Sequence, residues 1–236
     1  MFSGIIEDVG VLVSSVPEQG GRSLVIRTAL PLDPARGESS PRERVRLGDS
    51  IAVDGVCLTV ERFIGSDRFG VVAGRETLDR TALGTRAPGA RLHLERALRL
   101  SDRLDGHIVS GHVDGLGRVS RSEPRGESHV LWVELPEPLT RYVAEKGSVC
   151  IDGVSLTVNE LEGRSFRVNL IPFTARNTHL GGLTTGDPVN IEVDLLARYL
   201  ERLLRAESPA EPAGLTHQRL VEFGFVPPGS RPPGEE

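Results

Sequence analysis

Residues 54–60 read DGVCLTV and residues 152–158 read DGVSLTV, so the two stretches differ only at Cys57 and Ser155. Further segments match in the same order on either side: FSGIIEDVG at 2–10 with VSGHVDGLG at 109–117, ETLDRTALG at 76–84 with FTARNTHLG at 173–181, and ARLHLERAL at 90–98 with DPVNIEVDL at 187–195. The chain therefore contains two copies of one unit, and each copy of about 90 residues is long enough to hold its own core.

Each copy has the pattern of a small β-barrel. Its β-branched segments are separated by turns rich in Gly, Pro and Asp, which is typical of short antiparallel strands. The pairs Asp54-Gly55 and Asp152-Gly153 lie between apolar runs, where Asp-Gly favours a tight hairpin turn. We predict an all-β protein built from two homologous six-stranded antiparallel Greek-key barrels, with short helices and a C-terminal helix.

The repeat also sets the predicted boundaries. They are an N-terminal barrel over 1–97, a C-terminal barrel over 98–194, a helix over 195–205 and a partly disordered extension over 206–236. A short helix is predicted in each copy, at 77–83 and at 174–180. One face of the C-terminal helix carries four leucines, Leu196, Leu200, Leu203 and Leu204. The Pro-rich and Ser-rich stretch 31–44, which has no counterpart in the second copy, is predicted to be a surface loop.

Composition and charge exclude several classes of protein. The chain is 38% hydrophobic but only 4% aromatic, with 27 Gly and 16 Pro, which favours an aliphatic core in a turn-rich fold. A net charge of −5 with mixed signs argues against a nucleic-acid or membrane partner, and no apolar run is long enough to span a bilayer. Two cysteines are too few for disulfides to stabilise a fold of this size. The N-terminus also lacks a signal-peptide pattern, so we expect a cytoplasmic protein.

An ordered set of motifs closely resembles the riboflavin synthase family: MFSGIIEDVG, DGVCLTV, ETLDRTALG, GHIVSGHVDG, KGSVCIDGVSLTVN and NIEVD, over about residues 1–205. The resemblance implies conversion of two molecules of 6,7-dimethyl-8-ribityllumazine into riboflavin and 5-amino-6-ribitylaminouracil, without a metal or cofactor. It also implies a homotrimer assembled by the C-terminal helix, with an active site between the N-terminal barrel of one subunit and the C-terminal barrel of another. An association with lumazine synthase is left open.

The resemblance assigns substrate-binding residues to two pockets. The first pocket would use Gly4, Ile5, Ile6, Ser50, Cys57, Leu58, Thr59, Gly74, Arg75, Glu76 and Thr77. The second would use Gly111, His112, Val113, Lys146, Ser155, Leu156, Thr157, Ile171, Pro172, Phe173 and Thr174, with Asp194 binding the polyol. The candidates for polar or proton-transfer roles are His112, Cys57 and Ser155. Phe173 stands where the first copy has Glu76, so the two pockets are expected to differ chemically.

Simpler interpretations exist for several of these residues. A lone cysteine such as Cys57 is more often a small buried hydrophobic residue than a functional thiol. His107 and His112 are five positions apart, which would put them on opposite faces of a strand, and no matching Cys or His cluster follows. We therefore predict no metal site. The remaining histidines are expected to be surface or structural residues: His93, His129, His179 and His217.

Other functions have weaker support. DGVSLTV lacks the GxSxG elbow of a serine hydrolase, and no glycine run matches a phosphate-binding loop. The main alternative is a non-catalytic lumazine-binding or flavin-binding paralogue, whose second copy typically departs from the catalytic pattern. Here GHIVSGHVDG and GVSLTVN are both intact in the second copy, which favours the enzyme. An oligomeric structural protein is a third class, but it would leave the polar motifs unexplained.

Overall fold

The computed structural model describes residues 1–32, 44–207, 221, 223–225 and 227. Most of the predicted surface loop and of the predicted C-terminal extension therefore lies outside the described residues. Residues Met1–Ala197 form one compact unit and residues Arg198–Glu236 a second. Among the described residues, no helix is long and apolar enough to cross a membrane.

The first copy closes into a barrel of six strands. They are β1 Asp8–Glu18, β2 Gly21–Arg27, β3 Ser50–Val53, β4 Val56–Phe63, β5 Arg68–Gly74 and β6 Arg91–Arg96. The strands follow each other around the barrel in the order β1-β2-β5-β4-β3-β6. Every pairing is antiparallel, and β6 closes the barrel onto β1. Helix α1 (Arg75–Arg80) and a 3-10 turn (Ala82–Gly84) connect β5 to β6.

The second copy forms a barrel with the same strand order. Its strands are β7 Gly115–Arg125, β8 Ser128–Glu134, β9 Ser148–Ile151, β10 Val154–Glu162, β11 Ser165–Leu170 and β12 Pro188–Val193. They also close a barrel, and the neighbours of each strand are those of its counterpart in the first copy. The helices are α2 Glu137–Thr140, α3 Pro172–Asn177 and α4 Leu195–Glu207, with a 3-10 turn at Leu180–Gly182. The predicted fold class is thus confirmed, although each predicted internal helix is a shorter helix followed by a 3-10 turn.

Each barrel has its own aliphatic core. In β4, Val56, Leu58 and Val60 are buried while Thr59 is exposed, which is the alternation expected of a strand with one face inward. Register shifts occur at matching places in the two copies, between Leu12 and Ser14 in β1 and between Val119 and Arg121 in β7. Such bulges increase strand curvature and help a six-stranded sheet to close.

The two Asp-Gly turns join β3 to β4 and β9 to β10 as predicted. Asp54, Gly55, Asp152 and Gly153 all have φ between 45 and 85°, the left-handed conformation that a type I′ hairpin requires. Unlike most hairpin turns they are buried, because the two turns pack against each other between the barrels. The division at residues 97 and 98 stays a prediction, since both barrels belong to one compact unit.

Candidate functional site

Two crossing segments, residues 2–6 and 109–113, run between the barrels. Phe2 and Val109 form an antiparallel bridge, with the Phe2 N–H donating to the Val109 oxygen over 2.7 Å. Their side chains are buried together with Ala52 and Cys150. The crossing segments therefore begin side by side, in a small buried cluster formed by both copies.

Each crossing segment then adds to a strand of the other barrel. The Cys57 N–H donates to the Gly111 oxygen over 2.8 Å, and the Ser155 N–H donates to the Gly4 oxygen over the same distance. Cys57 and Ser155 are the two residues at which the repeated motifs differ, so each of them is hydrogen-bonded to the crossing segment of the other copy. Each candidate pocket therefore contains backbone from both copies.

The side chains next to these glycines follow the same exchange. Ile6 packs against the core of the second barrel, and Val113 packs against the core of the first. Residues 4–6 therefore contact the second barrel and residues 111–113 contact the first, whereas the sequence interpretation placed residues 4–6 in the first pocket and 111–113 in the second. We therefore regroup the predicted pockets, the first as the Cys57 strand with residues 111–113 and the second as the Ser155 strand with residues 4–6.

Glycine is required where the crossing segments meet the strands. Gly4 and Gly111 have φ of 78 and 81°. A Cβ at Gly111 would lie 2.5 Å from the Cys57 Cβ, and a Cβ at Gly4 would lie 2.6 Å from the Ser155 Cβ. Both contacts are shorter than real Cβ contacts, so a side chain at either position would push the segment off the barrel.

Two buried carboxylates hold the crossing segments in place. Glu95 on β6 accepts hydrogen bonds from Ser3 N (2.6 Å), Ser3 Oγ (2.7 Å) and Gly4 N (3.0 Å). Glu192 on β12 accepts the equivalent three from Ser110 and Gly111 at the same distances. Burial raises the pKa of Glu95, and the hydrogen bonds from Ser3 and Gly4 oppose that shift. Neither glutamate was predicted, although both occupy the same position in the aligned copies.

Ser155 has a partner that was not predicted. His107 Nδ1 lies 2.7 Å from Ser155 Oγ, and its ring is buried with Nε2 unpaired. Burial lowers the pKa of His107, which favours the neutral imidazole. Cys57, the counterpart of Ser155, is a partly buried free thiol. His112 is exposed, and residues 107–112 form no regular strand, so the strand geometry assumed for the two histidines is absent.

Most other predicted binding residues have at least partly exposed side chains: Ser50, Thr59, Gly74, Arg75, Glu76, Thr77, Lys146, Leu156, Thr157, Ile171, Pro172, Phe173, Thr174 and Asp194. Leu58 differs, because its side chain belongs to the first core. Asp194 Oδ1 accepts the Leu196 N–H over 2.9 Å, as an N-cap of α4 does. Phe173 is 68% exposed, whereas Glu76 pairs with Arg80, so the rims of the two pockets differ in polarity.

A concave surface of about 680 Å³ lies beside the first crossing segment. Of the predicted binding residues it includes Ile5 and Ser50. Its charged lining is balanced, with five arginines and five carboxylates, so it has no net preference for an anion or a cation. Cys57, Ser155 and His112 lie outside this lining, so this surface contains only a few of the predicted binding residues.

Comparisons with known proteins agree with the duplicated architecture. A family model described as a lumazine binding domain matches twice, at residues 3–97 and 110–194. The riboflavin synthase of Actinobacillus pleuropneumoniae is 40% identical over 226 residues, covering 95% of this chain and 100% of the relative. That of Mycobacterium bovis is 43% identical, covering 87% and 99%, and that of Bacillus subtilis is 36% identical, covering 95% and 100%.

Solved structures show the same fold at greater distance. LumP complexed with riboflavin has a TM-score of 0.71 at 21% identity, covering 82% of this chain and 99% of LumP. LumP complexed with 6,7-dimethyl-8-(1'-D-ribityl) lumazine has a TM-score of 0.69 with the same identity and coverage. At this identity the likeness concerns the fold alone.

Proposed function

Because this chain belongs to the riboflavin synthase family, we propose that it converts two molecules of 6,7-dimethyl-8-ribityllumazine into riboflavin and 5-amino-6-ribitylaminouracil. The observation that supports this proposal is that the two copies place equivalent crossing segments against each other's Cys57 and Ser155 strands. The reaction moves a four-carbon unit between two identical molecules, so the enzyme has to hold two copies of one ligand. Fixing both in place replaces much of the entropic cost of their encounter.

The residues at the pockets suit the chemistry of this reaction. Free backbone groups at a strand edge can bind the pyrimidinedione, and hydroxyl and carboxylate groups can bind the polyol. We assign polar stabilisation of the reacting centre to Cys57 and Ser155, the latter with its hydroxyl held by His107. His112, exposed on the segment that completes the first pocket, is our candidate for proton transfer.

We also propose that α4 assembles the protein into a homotrimer. Its four leucines, Leu196, Leu200, Leu203 and Leu204, are 58–68% exposed, as is Tyr199 at 63%. A helix face this apolar favours burial against another copy of the chain. The reacting ligands would then meet between the N-terminal barrel of one subunit and the C-terminal barrel of another. A cytoplasmic location and an association with lumazine synthase stay expectations of family membership.

The alternative of a non-catalytic binding paralogue has less support. The likeness to LumP is at 21% identity, whereas the relatives at 36–43% identity over most of the chain are riboflavin synthases. The purified protein should be incubated with the lumazine and no additive. Growth of riboflavin absorbance with one uracil product per riboflavin is expected, and tight binding without turnover would indicate the paralogue instead.

A further inference from the structure

A buried polar cluster lies where the two Asp-Gly turns meet. Asp54 and Asp152 are completely buried there. The turns touch, since a Cβ at Gly55 would lie 2.7 Å from the Gly153 nitrogen. Two buried carboxylates this close require neutralising or charged partners, because an unpaired buried charge is costly.

Two side chains bridge the barrels at this point, and they occupy equivalent positions in the copies. Asn190 on β12 accepts the Ala82 N–H over 2.7 Å and donates to the Asp54 carbonyl over 2.8 Å. His93 on β6 accepts the His179 N–H at Nε2 over 2.8 Å, and its Nδ1 lies 2.7 Å from the Asp152 carbonyl. Each bridge thus contacts the 3-10 turn region and the Asp-Gly turn of the other barrel.

These contacts fix the protonation state of His93. A carbonyl oxygen can only accept, so Nδ1 carries the proton, and Nε2 must be unprotonated because it accepts an N–H. The imidazole therefore supplies one donor and one acceptor, as the Asn190 amide does in the other copy. Burial lowers the pKa of His93 to about 3, in agreement with a neutral ring.

The same assignment argues against a metal at this cluster. Potential ligand atoms of Asp54, His93 and His179 lie within 4.8 Å of one another. However, the lone pair of His93 Nε2 is occupied by the His179 N–H, and Arg86 Nη2 lies 3.2 Å from Asp54 Oδ2. A bound cation would have to displace the bridge and approach a guanidinium.

His179 and Arg86 supply the positive charge. The His179 ring stacks on His93 with centroids 3.7 Å apart, and its Nε2 lies 3.1 Å from Asp54 Oδ1 and 3.8 Å from Asp152 Oδ2. Burial opposes a charge on this ring, but the hydrogen bond with Asp54 and the two carboxylates outweigh it and raise the pKa of His179. Arg86 adds a second charge, 3.2 Å from Asp54 and 3.6 Å from Asp152.

The strands that carry the bridges also hold the pockets. His93 and Glu95 both lie on β6, and Glu95 anchors the crossing segment that completes the Ser155 pocket. Asn190 and Glu192 have the same relation on β12, and Glu192 anchors the segment that completes the Cys57 pocket. A shift of one barrel against the other would therefore disturb both pockets together.

We propose that His93 and His179 are positioning residues for the reaction: His93 as a neutral bridge and His179 as a counter-charge hold the two barrels, and so both pockets, in register. Neither residue touches the reacting atoms. The inference rests on the proposed function, because its main readout is turnover. It assigns a role to a cluster that none of the predicted site residues enters.

The bridge is tested with two variants at one position. His93→Asn keeps a donor and an acceptor like those of Asn190, whereas His93→Ala removes both. We expect His93→Ala to lower kcat on the order of 10²-fold with a smaller change in KM, since a displacement of about 1 Å between reacting groups has that effect. His93→Asn should restore most of the lost turnover. His129→Asn, which alters a contact with Ser122 within the second barrel, serves as the matched control. Wild-type kcat in His93→Ala, or equal losses in both His93 variants, would overturn the proposal.

The counter-charge is tested by pH, which also covers the case in which His93→Ala does not fold. His179→Gln retains a polar side chain but no charge. Burial and the nearby Asp54 raise the pKa of Asp152 to about 7, so the charge on Asp152 also changes near neutral pH. The wild-type advantage over His179→Gln should be present while His179 is protonated and decline as pH rises through its raised pKa, because the advantage depends on that proton. A ratio of the two turnover rates that is independent of pH would reject the counter-charge role.

Failure of the positioning role of His93 and failure of the proposed function give different results. If the wild-type protein binds the lumazine without turnover, the proposed function fails. The bridge remains testable by thermal unfolding, in which His93→Asn should unfold at a higher temperature than His93→Ala. If the wild type turns over and the two His93 variants have equal unfolding temperatures and equal turnover, the positioning role of His93 is refuted and the proposed function stands.

Discussion

Replacing Gly111 by Ala tests how the crossing segments build the pockets. Gly111 has φ of 81°, and an alanine there costs about 1–2 kcal/mol in backbone energy. The new Cβ would lie 2.5 Å from the Cys57 Cβ and 2.9 Å from the buried ring of Phe2. Overpacking of this kind costs about 1–3 kcal/mol. The total loss of unfolding free energy should therefore be about 2–5 kcal/mol.

Gly126 provides the matched control. Its φ is 62°, and a Cβ there would meet nothing within 4 Å, so Gly126→Ala bears the backbone cost alone. In urea unfolding, the unfolding free energy of Gly111→Ala should be about 1–3 kcal/mol lower than that of Gly126→Ala. Turnover should fall in Gly111→Ala alone, because the change moves the segment that carries His112 and Val113. Equal destabilisation and equal turnover in the two variants would refute this account of the crossing segments.

Three further predictions concern the leucines of α4, the protonation of His93 and the role of His112. Leu200→Asp with Leu204→Asp should weaken self-association by on the order of 10²- to 10⁴-fold, since burying each leucine is worth about 1.5–3 kcal/mol; an unchanged sedimentation profile at micromolar concentration would contradict it. The folded-state pKa of His93 is depressed, so its stability contribution is full above pH 6.5 and falls toward pH 3. When the pH is lowered from 7.5 to 5, the unfolding free energy of the wild type in urea unfolding should fall by about 2 kcal/mol more than that of His93→Asn. Equal decreases in the two proteins would reject a neutral His93. His112→Ala should lower kcat by about 10²- to 10⁴-fold with little change in ligand affinity, measured by turnover and fluorescence titration, and normal turnover would remove His112 from the mechanism.

Much of the fold could be predicted because the strand and turn patterns are local in sequence and occur in both copies. β-Branched runs, Asp-Gly turns and the repeat together specify two barrels, and the observed strands satisfy all three. The helices were less predictable. TLDRTAL and TARNTHL have helical spacing, but the chain tightens into 3-10 turns at Ala82–Gly84 and Leu180–Gly182, where Ala82 and His179 contact the other barrel. That contact depends on tertiary packing, which local propensity cannot report.

The residues of the candidate site stay a prediction, and the structure changes how they are grouped. Gly4 and Gly111 stood out in the motifs, yet each was assigned to the barrel of its own copy. Because the copies are so similar, both pairings satisfy the sequence equally well. Only the hydrogen bonds of Cys57 to Gly111 and of Ser155 to Gly4 select the exchanged one.

The groups that were missed are buried polar residues whose partners are distant in sequence. Glu95 and Glu192 occupy the same position in both copies, and a charged residue retained twice within a strand predicted for the barrel wall was a usable signal. His93 gave no such signal, because its counterpart is Asn190 and the two look unrelated as residue types. Their equivalence lies in one donor and one acceptor held at the same place, which appears only when the hydrogen bonds are known. The proposal predicts that an amide can replace the neutral imidazole as a bridge, and this is what makes His93→Asn informative where a general core substitution would not be.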